Sequence, residues 1–401
     1  MSPKNNITAL HISILQELFY LENATCNQLT LRVQKSLPLV AKAINDLENW
    51  NFIKDTGLAP SSGGRRPLNY SLVNNRFYFI LVSSDQFSTQ IGIYDWGMNL
   101  VHPINRITLE IQQSDALFKI VNTIKEYIHD AGIESNLIMG IGFGMPGFIQ
   151  ATEGINHTYL TPPTNFYLRE YLSQEIGLPV FIENDSRLIA LSELKFNKEL
   201  NQEHSLVINL GWGIGLGILI NDSLFTGSDG FAGEFSHIPL SDDKILCTCG
   251  KQGCLEAVAS LTAIVKKAIK EIDKGRSTRL QALKKLDNRN DMVDLIFNEA
   301  LAGDQFAIEL IADAAYSIGK GLAILIHILN PKEIVLSGKS SPILNFMMAP
   351  MQQALHRFCI PKLFSNIEIK ASTLGPDAVF KGAAILVMQQ LNKEKLNSFL
   401  N

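Results

Sequence analysis

The chain has 401 residues, 46% of them hydrophobic and 18% charged, with a net charge of −4. That length allows two or three domains, each able to bury its own core, and the composition is that of a soluble globular protein. The polar start MSPKNN leads into no signal-type stretch, and no apolar run approaches the roughly 20 residues of a spanning helix, so a cytoplasmic protein is expected and a disulfide framework is not. The charge is uneven. Residues 1–70 carry seven Lys/Arg and five Asp/Glu, the remainder 28 and 34. A basic head on an acidic body hints at nucleic-acid contact by the head.

In chain order, residues 7–19 place Ile7, Leu10, Ile14, Leu15 and Leu18 at helical spacing. Thr25 or Asn27 offers a cap for a short second helix through Leu31. Ser36 precedes a third helix with Val40, Ala43, Ile44 and Leu47 on one face and Pro38 in the first turn, where its missing N–H costs little. Residues 52–73 then read as a hairpin, strand Phe52–Lys54, turn Gly57–Gly64, strand Leu68–Val73. Three helices and a wing make a winged helix-turn-helix. Ser36, Leu37, Lys42 and Asn45 are expected to face a major groove with Lys35 near phosphate, and Arg65 and Arg66 to serve the wing, where Gly63 and Gly64 let the backbone follow a surface. A plain packing bundle is the competing reading.

From Phe77 the texture changes. FYFILVSS, TQIGIYD and MNLVHPI predict successive strands, residues 114–131 a helix, LIMGIGFGMPG a buried strand entering a glycine turn, and PVFIEND a strand followed by a helix from Ser186. The pattern restarts with SLVINLGWGIGLGILIND, and a helix over Asp304–Leu329 precedes the strand EIVLSG. Strands alternating with helices predict α/β layers, and the restart predicts two similar lobes with a cleft between them. The expected domains are a winged helix over 1–74, a first lobe over 75–195 plus about 378–401, and a second lobe over 196–377.

The stretch CTCGKQGCLE carries three of the five cysteines, and His237 lies ten residues before Cys247. One imidazole and three thiolates (His237, Cys247, Cys249, Cys254) make a closed tetrahedral set that suits one structural zinc per chain. Unligated thiols or a redox pair are the alternatives, and a zinc-ribbon DNA module is disfavoured by Asp242 and Asp243 beside the loop. Glu234 precedes His237 by three positions and Glu256 follows Cys254 by two, so both carboxylates are tethered to that scaffold. Paired carboxylates near glycine turns suit the hydroxyls of a sugar. Asn184 and Asp185, at the end of a strand where α/β folds place ligands, join them as candidates, a helix cap being the plainer reading of Asn-Asp.

The motifs GMPG (144–147), IEND (182–185), GEFSH (233–237), CTCGKQGCLE (247–256), NPKEIVLSG (330–338) and GPDAVFKGAA (375–384) resemble the ROK family of repressors, open reading frames and sugar kinases, over nearly the whole chain. The N-terminal winged helix resembles its repressor branch, the xylose, N-acetylglucosamine and glucose-metabolism regulators. The resemblance implies an actin-like (ribonuclease H-like) pair of lobes of sugar-kinase type. It implies sugar contacts from Asn184, Asp185, Glu234, His237 and Glu256, with His237 ligating zinc through its other ring nitrogen.

The departures concern ATP. Family kinases resemble D-x-G-G-T where this chain reads Ser84-Asp85-Gln86-Phe87-Ser88, and L-G-T-G-x-G-x-G where it reads Leu210-Gly211-Trp212-Gly213-Ile214-Gly215-Leu216-Gly217. Ser337-Gly338-Lys339 stands where a kinase has a run of glycines. A phosphate nest needs glycine-like dihedrals and clear approach. A sugar-responsive transcriptional repressor without enzymatic activity is therefore expected. It would act as a homodimer or homotetramer on palindromic operator DNA, with sugar or sugar phosphate as ligand and Asp185, the kinase-base position, only binding. The alternatives are an active ATP-dependent sugar kinase with an appended DNA-binding domain, and a sensor controlled by a protein partner.

Overall fold

A computed structural model describes residues 6–59, 66–200, 203–242 and 244–400. Arg65 and the wing glycines Gly63 and Gly64 lie outside the described residues, as does Asp243. Two compact units emerge. The first comprises the chain up to Ser84, Ser88–Glu183 and the chain from Phe380 onward, and the second comprises Asp85–Phe87 and Asn184–Val379.

The chain begins with α1 (Ala9–Leu21), β1 (Ala24–Thr25), α2 (Cys26–Val33), α3 (Leu37–Asn49), β2 (Ile53–Leu58) and β3 (Leu68–Leu72). Reciprocal caps start the first two helices. Thr8 and His11 exchange backbone and side-chain hydrogen bonds, as do Thr25 and Gln28. Ser36 holds the N-cap of α3 without a side-chain bond, followed by Pro38 in the first turn. The face expected of α3 is the one buried: Val40, Ala43, Ile44 and Leu47 are buried, as are Ile14, Leu15 and Leu18 of α1 and Leu29 of α2. The strands join as an antiparallel sheet in the order β1-β3-β2, completing the winged arrangement.

An aromatic cluster ties this head to the rest of the first unit. Phe52 stacks on Phe77 at 5.7 Å, Phe77 meets Trp96 edge-on at 4.8 Å, and the Trp96 indole donates to Val73 O at 2.7 Å. The C-terminal residues close over it, with Phe399 4.4 Å from Phe77 and the Asn397 carboxamide accepting from Ile7 N at 2.8 Å.

The first unit continues with β4 (Tyr78–Ser84), β5 (Ser88–Asp95), β6 (Leu100–Thr108), α4 (Ala116–Ala131), β7 (Ile138–Met145), the short pair β8 (Ile149–Gln150) and β9 (Ile155–Asn156), α5 (Leu168–Ile176) and β10 (Val180–Asn184). Its sheet runs β10-β7-β4-β5-β6, with β4–β5–β6 antiparallel and β7 parallel to β4. The buried residues Ile120, Val121, Ile124 and Tyr127 of α4 share a core with Ile80, Val82, Ile91 and Ile93.

The second unit contains α6 (Asp185–Phe196), β11 (His204–Leu210), β12 (Ile214–Ile220), β13 (Ser223–Leu224), α7 (Leu255–Ala259), α8 (Leu261–Asp273), α9 (Arg289–Leu301), α10 (Gln305–Leu329), β14 (Glu333–Ser337), α11 (Leu344–Phe358), α12 (Pro361–Phe364) and β15 (Glu368–Ala371). The chain closes with α13 (Ala378–Gln389) and α14 (Lys393–Asn397). The second sheet runs β15-β14-β11-β12-β13, the same order as the first, with β11 parallel to β14 and β14 to β15 beside an antiparallel meander. The sequence restart is thus a repeat of topology, and the architecture is the expected actin-like, two-lobed α/β fold with an N-terminal winged head.

Two features differ from the sequence expectation. The helix after PVFIEND begins at Asp185, not Ser186, and Asn184 caps it. It groups with the second unit because it lies against β12 where Gly215 and Gly217 leave room: a Cβ at either would overlap Ser186 Oγ or Ala190 Cβ. In addition, α10 is long and apolar enough to cross a membrane by length and composition. Its acids and lysine hide this in a simple run count. Its buried residues, among them Leu310, Ile318, Leu322 and Ile326, make it the central helix of the second core.

Candidate functional site

The connection from β13 to α7 builds the site. It turns at Gly227, Gly230 and Gly233, all with positive φ, and a Cβ at Gly233 would overlap Leu216 O, so this loop needs glycine to lie against β12. A short 3-10 turn over Phe235–His237 then fixes His237, with Phe235 buried as its anchor. The cysteine loop is held by its own backbone: Cys247 N donates to Lys251 O at 2.8 Å, Gly253 N to Ile245 O at 3.1 Å and Leu255 N to Ile238 O at 3.1 Å.

The ligand atoms of His237, Cys247, Cys249 and Cys254 all lie within 4.8 Å of one another. Nδ1 of His237 is 3.5 Å from Cys247 Sγ, and Cys249 Sγ is 3.6 Å from Cys254 Sγ. All are unbridged thiols, and a metal with tetrahedral bonds of about 2.3 Å to sulfur sets its sulfurs about 3.8 Å apart. Burial together with the neighbouring thiols pushes Cys254 up to about 12, a crowding that a bound cation relieves. The donor set and spacing fit: the cluster can hold one metal ion, with four protein ligands and no open position.

With Nδ1 turned to the sulfurs, the other ring nitrogen of His237 faces away from them, and Nε2 lies 4.0 Å from Glu234 Oε2. Glu234, although its side chain is 39% exposed, is raised to about 7 by desolvation, with Arg187 opposing and Glu256 and Asp185 adding to the rise. Glu256 accepts from Ile214 N at 3.2 Å, and Gly213 leaves the room for it. Burial raises Asp185 too, against hydrogen bonds from Ser186, with Asp85 and Glu256 contributing to the rise. Asp185, Glu234, Glu256 and His237 therefore form one interacting group in the second unit. Asn184 stands beside it, its side-chain oxygen committed to the helix cap by bonds from Ser186 N at 3.0 Å and Arg187 N at 3.2 Å. Sequence reasoning missed Asn209, whose amide donates to Ser186 Oγ at 3.0 Å and Asp185 Oδ2 at 3.4 Å. Its place just before the Leu210-Gly211 turn was the available signal.

The turns expected to have lost phosphate binding contact one another. Phe87 packs edge-on against Trp212 at 4.6 Å, Arg289 lies over Phe87 at 5.8 Å and Lys339 over Trp212 at 5.2 Å. Lys339 also pairs with Asp85 at 3.3 Å and donates to Asn290. In the head, Lys35, Ser36, Leu37, Lys42, Asn45 and Arg66 are all exposed. The first five sit at the turn before α3 or on its outward side.

Residues 107–390 match the model of the ROK family. A glucokinase of Halalkalibacterium halodurans is 35% identical over 260 residues, 64% of this chain and 78% of the relative. The xylose repressor of Caldicellulosiruptor bescii is 28% identical over 372 residues, 88% of each chain. Among solved structures, a ROK family transcriptional regulator described as a homologue of the Escherichia coli MLC protein superposes with a TM-score of 0.74 at 22% identity, covering 97% of this chain and 98% of that one, which bears on the fold. The chain belongs to the ROK family.

Proposed function

We propose that the protein is a sugar-responsive transcriptional regulator that binds operator DNA through its winged head, as a homodimer or homotetramer, and a sugar or sugar phosphate at the histidine–carboxylate group. The observation that carries this reading is the division of His237, one ring nitrogen among three thiols and the other beside Glu234. Zinc suits the thiolate-rich set, and when bound it supplies a fixed positive centre that orders the loop. His237 then has a set tautomer and can donate or accept at a hydroxyl through Nε2. Glu234, Glu256 and Asp185 accept further hydroxyl hydrogens, and Asn184 completes the set from the helix cap. Similarity to the xylose repressor over 88% of each chain supports the regulatory role. The Phe87–Trp212 contact and the Lys339–Asp85 pair support the absence of phosphoryl transfer, because they fill the turns that a nucleotide's phosphates would need open.

For response, the sugar must bind the DNA-incompetent arrangement more tightly; equal affinity shifts nothing. A thermal-shift panel of aldoses, amino sugars and their 6-phosphates, followed by DNA-release assays on the hits, tests the proposal. A stabilising sugar that releases DNA is expected, and a protein indifferent to all of them sinks it.

The kinase reading has its own support in the glucokinase relative and in the raised Asp185 carboxyl, which suits a general base. A coupled ADP assay with the stabilising sugar decides between the two.

A further inference from the structure

Residues 266–289 hold nine Lys/Arg and three Asp/Glu, a surplus of six positive charges in a chain whose net charge is −4. They span most of α8, a 3-10 segment over Arg279–Lys285 and the start of α9. Five of these cations have carboxylate partners: Lys267 with Asp313 at 2.8 Å, Lys274 with Glu271 at 2.7 Å, Arg276 with Glu309 at 2.6 Å, Arg279 with Glu299 at 3.8 Å and Lys284 with Asp273 at 2.5 Å. Among the described residues, Lys266, Lys270, Lys285 and Arg289 have none, and all of these but Lys285 line one groove of about 540 Å³ together with Ile269, Asp273 and Lys274.

Folding does not account for that placement. Lys266 and Lys270 are one helical turn apart, where like charges repel. The helix dipole welcomes Lys270 in the last turn of α8 but does nothing for Lys266 in its middle. Arg289 is the first residue of α9, the end at which a cation is disfavoured. Among the described residues its guanidinium meets the Phe87 ring and Met292 Sδ at 3.9 Å, which leaves planar donors for an anion. The one acid in the groove, Asp273, is drawn aside by Lys284.

We propose that this groove binds a small polyphosphorylated ligand, with Lys266, Lys270 and Arg289 as its phosphate contacts and Ile269 as the apolar wall. The groove is shallow and open to solvent, and three unpaired cations along it match a charge spread over more than one phosphate. None of these residues belongs to the metal or sugar group, so this site stands whether or not the sugar reading does.

The test is calorimetric titration of the full chain with inorganic tripolyphosphate, using three proteins. The groove variant is Lys266→Gln with Lys270→Gln. The control, Lys267→Gln with Arg279→Gln, removes the same charge from paired positions outside the groove. Binding by the wild type, weakened at least tenfold in the groove variant and less than twofold in the control, is expected. Arg289→Lys should weaken it as well, since the charge stays and the planar fork goes. Equal weakening in variant and control would mean a diffuse field and overturn the site, as would the absence of wild-type binding. So would a random-sequence DNA duplex that depends on Lys266 and Lys270 while tripolyphosphate does not bind.

Discussion

The two sheets share one strand order, yet the stretch after the third strand differs completely between them. In the first unit β6 passes to α4 through residues 109–115; in the second, β13 passes to α7 through residues 225–254. The first connection is all that the topology requires. The second carries Glu234, His237 and the three clustered cysteines, and α7 adds Glu256. A repeated scaffold thus places its candidate chemistry in one copy, at a glycine-rich, polar loop whose His237 and cysteines can hold a metal ion.

The largest effect should come from removing a metal ligand. Cys254→Ser is expected to lower the metal content from one ion per chain towards none and the melting temperature of the second unit by roughly 10 °C, read by elemental analysis and calorimetry. The first unit, which has no equivalent loop, should melt unchanged; a matching loss there would mean that the metal loop does not stabilise the second unit alone. Glycine substitutions separate the units further. A Cβ at Gly142 meets the Ala383 backbone, and one at Gly217 meets the Ala190 side chain. Both Gly142→Ala and Gly217→Ala should cost about 1–3 kcal/mol by overpacking, Gly142 more because backbone yields less than a methyl group. Only Gly217→Ala displaces α6, so it alone should also weaken sugar binding.

Smaller effects follow in the head. Lys42→Ala with Arg66→Ala should lower DNA affinity and reduce the salt slope by about 2, leaving metal content and sugar binding unchanged. Anisotropy titrations at several salt concentrations measure this. Least of all, burial holds His11 below its ordinary value while Asp46 pulls the other way. A base depressed on folding stabilises at pH above its unfolded value of 6.5, and that contribution is lost as pH falls below it. The head should therefore soften between pH 7.5 and 5.5, and His11→Gln should flatten that dependence in a pH series of thermal melts.

The sequence made much of this legible. The buried face of α3, the strand restart at Ser205 and the cysteine set followed from period and spacing, because each repeats a physical requirement every few residues. The glycines of Gly215 and Gly217 were harder. Read as a ligand turn, they also make room for α6, a contact between segments that no local pattern reveals. The cation surplus around α8 was visible in composition, but which lysines lack partners depends on Glu299, Glu309 and Asp313 arriving from other helices. Asn209 was hidden for the same reason: its partner Asp185 lies on a different element.

In the function proposed here, a metal-ordered histidine and its neighbouring acids hold a sugar without turning it over. The most direct test is a calorimetric titration of the wild-type protein and Glu256→Gln with the stabilising sugar, in the presence of magnesium and ATP. A single saturating binding heat is expected in the wild type, with its loss in the variant whose metal content is intact, and no continuing heat flow afterwards. A sustained, sugar-dependent heat of reaction in the wild type would contradict that function.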